Sequence, residues 1–171
     1  MPEPLLTTDR LELHRPQADD LGGLNALMEP AAMRVHLGRD APTLTDSFAR
    51  LARNAGSWAL YGYGTFMVRE RGSDVIIGNC GVFHSWRGFA PFDGVAEAGW
   101  IIAADRWGRG YAAEAMTAAL NWFDRTHAIR PVMAMIAPAN TPSLALAARL
   151  GFAAFGAQEF DGHAVTLLQR D

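Results

Sequence analysis

Residues 105–115 read DRWGRGYAAEA, with Gly108 and Gly110 one residue apart, flanked by Arg106 and Arg109, where the spacing predicts the start of a helix. Glycine has no Cβ to keep a ligand off the backbone, and the first amides of a helix have no carbonyl partners within it. Such a turn suits an anion, phosphate above all, because the helix dipole places partial positive charge there and two arginines can add full charges. The residue pattern alone leaves several explanations. The two glycines can simply make a tight turn. They can also open a dinucleotide fingerprint, since Gly108, Gly110 and Ala113 satisfy G-x-G-x-x-G/A. Against the fingerprint, only about sixty residues follow, the preceding strands read as antiparallel, and Arg130 stands near where an acid is required. A Walker A loop is excluded, because no Gly-Lys-Ser/Thr follows.

Few other side chains have spacings suited to chemistry. Cys80, the single cysteine, lies in an apolar run and reads as a small core residue rather than a nucleophile. It excludes an internal disulfide and any multi-cysteine metal site, and suits a reducing compartment. His14, His36, His84, His127 and His163 are scattered without metal-ligand spacing, so no metal is expected. His84 borders the connection HSWRGFAPFDG, whose Trp86, Phe89 and Phe92 either wall an acceptor pocket or cover a sheet.

The elements that must position these residues follow from periodicity. Residues 10–15 (RLELHR) alternate as a strand ended by Pro16, and Leu21, Leu24, Leu27 and Met28 recur at helical spacing after Asp19 and Asp20. A second helix is expected from Thr43 to about Trp58, with Thr43, Thr45 or Asp46 as its cap. Residues 63–70, 75–84 and 96–103 read as an antiparallel meander. The glycine turn then opens a helix to about Thr126, residues 132–137 (VMAMIA) form a buried strand, and a Thr141 cap before Pro142 starts a helix stopped by Gly151. Residues 152–160 and 163–169 close as a hairpin turning at Asp161-Gly162.

A chain of 171 residues, half of them apolar and 19% charged, suits one globular domain without linker or repeat. A net charge of −3 argues against a general nucleic-acid binder. The first residues, MPEPLLTTDRLELHRP, do not form a secretory signal, and no run is long and apolar enough to span a bilayer. A cytoplasmic protein is expected, with no nucleic-acid or membrane partner.

The segments EAGWIIAADRWGRGYAAEAM and NTPSLALAARLGF, with a strand between them, resemble the GNAT superfamily of N-acetyltransferases. Within it the similarity runs to the ribosomal-protein N-terminal acetyltransferase branch, which LLTTDRLELHRP also resembles, and the order of elements matches from end to end. The resemblance implies a mixed α/β fold: one domain with a splayed, mostly antiparallel sheet of about six or seven strands, flanked by about four helices. It implies that the backbone amides of Trp107, Gly108, Arg109, Gly110, Tyr111 and Ala112 wrap the pyrophosphate of acetyl-coenzyme A. Trp107 stands where the superfamily more often has Gln or Arg. The pantetheine arm would follow residues 100–103 in a gap against residues 132–137, with the thioester carbonyl held by an amide near Ile102. Asn140 and Ser143 would lie near the departing thiol, although Asn140 is equally an ordinary turn residue and Ser143 a solvated one.

The implied reaction is direct attack of a primary amine on the thioester in a ternary complex. An amine of pKa roughly 8–10 is mostly protonated at neutral pH, so a proton must be accepted, and the thiolate gains from an acid. Glu97 matches the position of a frequent family base, acting through water; the competing expectation is a plain solvated carboxylate at a strand start. The family's frequent tyrosine acid falls near Ala147, where this sequence has none, leaving Ser143 as its substitute. Residues from about Met28 to Arg39 are the other expected wall of the acceptor pocket. The acceptor is a protein N-terminus or a small amine, and the chain a monomer or homodimer. The competing class is a non-catalytic acyl-coenzyme A sensor or scaffold on the same fold.

Overall fold

The strands are β1 (Leu6–Thr7), β2 (Leu11–His14), β3 (Thr65–Glu70), β4 (Ile76–Trp86), β5 (Asp93–Ile102), β6 (Val132–Ile136), β7 (Ala153–Phe160) and β8 (His163–Arg170). The helices are α1 (Leu21–Met28), α2 (Leu44–Tyr61), α3 (Tyr111–Thr126) and α4 (Thr141–Arg149). This is a computed structural model that describes residues 3–36 and 40–171. The eight strands form one sheet, ordered β1-β2-β3-β4-β5-β6-β8-β7, in which only β5 and β6 run parallel. The strand beyond the expected six or seven is β1, whose two residues are too few to show a period.

Boundaries shift where tertiary pairing extends a local pattern. Strand β4 continues to Trp86 and β5 begins at Asp93, so the aromatic connection shrinks to residues 87–92. Thr43 caps α2 as a capping box: its hydroxyl accepts from the Asp46 amide at 3.2 Å, and the Asp46 carboxylate accepts from the Thr43 amide at 2.9 Å. The cap of α4 is Asn140, one residue before the expected Thr141, because the Asn140 side-chain oxygen reaches the Ser143 amide at 3.3 Å.

The two sheet faces bury different clusters. On one, Phe66, Ala98, Ile102 and Leu168 pack under α3 and α4 through Met116, Leu120, Phe123 and Ala147. On the other, Met67 and Ile101 lie under α1 and α2 with Leu24, Leu27 and Leu51, while Val95, Met133 and Leu167 pack with Phe89 and Phe92 of the short loop. Successive residues of β5 alternate between these faces, which fixes the sides on which site residues project.

Candidate functional site

The sheet opens between its two parallel strands. Pairing of β5 with β6 covers Ala96↔Val132 and Glu97↔Met133 and then stops, although both strands continue. On the other side β5 stays paired with β4 as far as Gly78↔Ile102. The Ala103 amide donates to the Ile77 carbonyl at 2.8 Å, so Gly78 and Ile102 form a non-hydrogen-bonded pair whose own peptide groups face away from each other. The N–H and C=O groups of Ile102, and of Trp100 two residues earlier, therefore point into the opening. The indole N–H of Trp107 donates to the Ile102 carbonyl at 2.6 Å. Among the described residues, the Ile102 amide and both Trp100 groups remain as an unpaired strand edge inside the sheet, able to bond an extended guest.

This edge leads into the glycine turn. Gly108 and Gly110 have φ of +72° and +79°, which L side chains rarely adopt, and a Cβ at Gly108 would meet nothing within 4 Å. Gly110 is the N-cap of α3, so the amides of Tyr111 and Ala112 fall in the partnerless first turn. Tyr111 turns its side chain away: its hydroxyl donates to Glu70 at 2.6 Å, which raises the Tyr111 pKa and lowers that of Glu70. Arg106 is paired with Asp105 and Glu70. Arg109 has no ion pair among the described residues, and its guanidinium lies 5.2 Å from the Tyr111 ring centroid. The result is a row of amides beside an arginine without an ion pair among the described residues, a setting that favours phosphate.

Glu97 is buried, not a solvated carboxylate at a strand start, because β5 begins earlier and the loop folds over it. Its Oε2 accepts from Ser85 Oγ at 2.5 Å and from Arg87 Nε at 2.9 Å, and its Oε1 from Arg87 Nη2 at 2.6 Å. Pattern reading of the sequence misses Ser85 and Arg87. Only the β4–β5 register, with Phe83 opposite Glu97 and Ser85 opposite Val95, puts them on the Glu97 face. The half-buried Phe83 and Gly99 share this face, and the Arg87 guanidinium lies 5.6 Å from the Phe83 ring and 5.4 Å from that of Phe160.

The opposite face carries Trp100, whose indole donates to Ser143 Oγ at 3.3 Å across the opening. Glu97 and Ser143 thus lie on opposite sides of β5 and do not meet. Asn140 spends its side-chain oxygen on capping α4. Cys80 is buried and desolvation pushes its thiol up to about 12, leaving it a core residue. His84 stacks on Tyr61 with ring centroids 3.7 Å apart, and its Nδ1 lies 3.2 Å from the Tyr63 hydroxyl. Of the wall expected from Met28 to Arg39, Met28 and Met33 are buried beneath α1 and the following turn, and residues 37–39 lie outside the described residues. Among the described residues no group of His, Cys, Asp and Glu could hold a metal ion, and no helix is long and apolar enough to cross a membrane.

The model of the acetyltransferase (GNAT) domain matches residues 10–153. The chain belongs to the GNAT acetyltransferase family. A Bordetella pertussis protein assigned to this family is 37% identical, with 97% of this chain and 98% of that one covered and a TM-score of 0.88. More distant GNAT structures share the fold. The aminoglycoside acetyltransferase AAC(6')-Ib, solved in complex with coenzyme A, is 16% identical over 94% of each chain, with a TM-score of 0.77. RimL, a ribosomal-protein α-N-acetyltransferase, is 19% identical, with 98% of this chain and 93% of that one covered and a TM-score of 0.76.

Proposed function

We propose that this GNAT protein transfers an acetyl group from acetyl-coenzyme A to a primary amine by direct attack. The observation that carries the reading is continuity: the unpaired peptide groups of Trp100 and the unpaired Ile102 amide run into the amide row of residues 107–112. Coenzyme A has a pantetheine arm whose amide groups suit the first and a pyrophosphate that suits the second, so the residues present fit this cosubstrate. Arg109 supplies the charge for the phosphates, and the open space at Gly108 lets them reach the backbone.

The amine approaches from the Glu97 face and its nitrogen forms a bond to the thioester carbon. The oxyanion takes a hydrogen bond from the unpaired Trp100 amide, two residues before Ile102 on the same strand edge and nearer Glu97, a donor already fixed in place by the strand. Glu97 Oε2 has both lone pairs engaged, whereas Oε1 accepts one hydrogen bond and can accept another. A water on Oε1 can therefore carry the proton leaving the amine. As the carbon–sulfur bond breaks, the thiolate forms on the Trp100 side, where the Ser143 hydroxyl can donate a hydrogen bond to it and relay a proton from solvent, regaining its own in the same transfer. Asn140 orders the start of α4 and so sets the place of Ser143.

One observation favours the non-catalytic sensor or scaffold instead: both carboxylate oxygens of Glu97 are already bonded to the Arg87 guanidinium, and Oε2 to Ser85 as well. Assaying thiol release with acetyl-coenzyme A and a panel of peptides and small amines separates the two. The panel includes N-terminal α-amines, the acceptors of the branch that LLTTDRLELHRP resembles. Turnover of one acceptor class is the expected result. Thermal stabilisation by coenzyme A without turnover would establish the sensor, and no stabilisation at all would sink both.

A further inference from the structure

The TTDR segment near the N-terminus has no part in the chemistry above, yet it touches the glycine turn directly. Glu114, in the first turn of α3, accepts from Thr8 Oγ1 at 2.6 Å and from the Arg10 amide at 3.0 Å on Oε1, and from Arg10 Nε at 2.7 Å on Oε2. Arg10 Nη2 closes the ion pair at 2.5 Å, and Arg10 Nη1 donates to the Arg109 carbonyl at 2.9 Å. The guanidinium lies 4.5 Å from the Tyr111 ring centroid, and a Cβ on Gly110 would stand 3.5 Å from its Nη2. One arginine therefore binds the N-terminal segment, the first turn of α3 and the backbone of the turn itself.

We infer that Arg10 and Glu114 are positioning residues for the pyrophosphate of coenzyme A, an inference that rests on the function proposed above. In a trans peptide the C=O and the following N–H point in opposite directions. Holding the Arg109 carbonyl towards Arg10 turns the Gly110 amide the other way, towards the side where phosphate binds. Without that bond the peptide is free to rotate, because Gly110 tolerates either orientation. Glu114 has a second effect. Burial opposes its charge, but hydrogen bonds from Thr8 and Arg10 outweigh this and hold its carboxyl below the usual range. It thus neutralises Arg10, and Arg109 is left as the arginine of the turn without an ion pair among the described residues. Lysine cannot replace Arg10, since it lacks the planar fork that bonds a carboxylate and a carbonyl together.

The test is calorimetric binding of coenzyme A and of pantetheine, which lacks the pyrophosphate, to the wild-type chain, Arg10→Lys and Glu114→Gln, with the Tm of each recorded. In both variants the Kd for coenzyme A is expected to rise about tenfold, the scale of one charge-assisted hydrogen bond, while the Kd for pantetheine stays the same. Deuterium exchange of the 107–112 amides should quicken in parallel. Wild-type coenzyme A affinity in both variants overturns the inference, as does an equal loss for both ligands, which would mark general unfolding of the site. A wild-type chain that does not bind coenzyme A overturns the functional reading itself, and the inference with it.

Discussion

At the scale of single residues, Glu97 has two tasks with different signatures. As a structural anchor it holds residues 87–92 over the sheet through Arg87 and Ser85; as a proton acceptor it needs only the free lone pair on Oε1. Removing its counter-charge tests the anchor. Arg87→Ala leaves a carboxylate of 5% side-chain exposure with Ser85 as its remaining partner. Orphaning a buried charge costs about 3 kcal/mol, and because Arg87 is itself one-quarter exposed, a loss of about 2 kcal/mol is expected in urea denaturation. Glu97→Gln tests the other task, since it keeps the shape and removes the basicity. Its kcat with a confirmed acceptor is expected to fall about a hundredfold, the usual scale of general-base catalysis, with little change in KM for acetyl-coenzyme A. Wild-type kcat in Glu97→Gln would assign the proton to another acceptor and leave Glu97 as the anchor alone.

At the scale of elements, a side-chain hydrogen bond from Trp100 of β5 to Ser143 of α4 lies beside the opening between β5 and β6. That bond sets the position of the first turn of α4 relative to β5. Trp100→Phe and Ser143→Ala should therefore each lower kcat, and the double variant should be hardly worse than either single one. A neutral hydrogen bond contributes about 1 kcal/mol, so a coupling of about fivefold is the expected size, measured as a double-mutant cycle in kcat. Strictly additive losses would show that the two residues act independently. The elements themselves were readable because their signals are local: the Thr43 cap, Gly151 after α4 and the Asp161-Gly162 turn each specify a boundary within a few residues. Strand β1 was not, since Leu6 and Thr7 are defined by pairing with β2 alone. The glycine turn and its amides were legible for the same reason of locality. Arg10 and Glu114 stand 104 residues apart, and Arg87 meets Glu97 only through the register of a hairpin, so no spacing along the chain announces either pair.

At the scale of the whole molecule, the groups with displaced pKa values predict how stability follows pH. The end of β3, the start of α3 and its last turns each carry a carboxylate whose pKa is lowered. Glu70 is lowered by hydrogen bonding from Tyr111; for Glu114 and Asp124, burial is outweighed by hydrogen bonds, from Thr8 and Arg10 and from Arg170 and Arg130 respectively. A carboxyl lowered in the native state binds fewer protons there than in the unfolded chain. Its contribution is complete above the ordinary carboxyl pKa of about 4 and is lost as pH falls through the native value. His127 acts in the same direction at higher pH. Packed on Phe123 with ring centroids 5.2 Å apart and edge-on to Tyr63 at 5.1 Å, it is desolvated and its pKa is lowered. The unfolded chain therefore takes up its proton first, and stability declines from about pH 6.5 downwards. The Tm is expected to be flat from pH 7 to 8, to begin a gentle fall below about 6.5, and to fall steeply below about 4. His127→Phe retains a ring against Phe123 and cannot titrate. In scanning calorimetry it should lose the gentle step and keep the steep one, whereas a step that persists in His127→Phe would move its origin to another group.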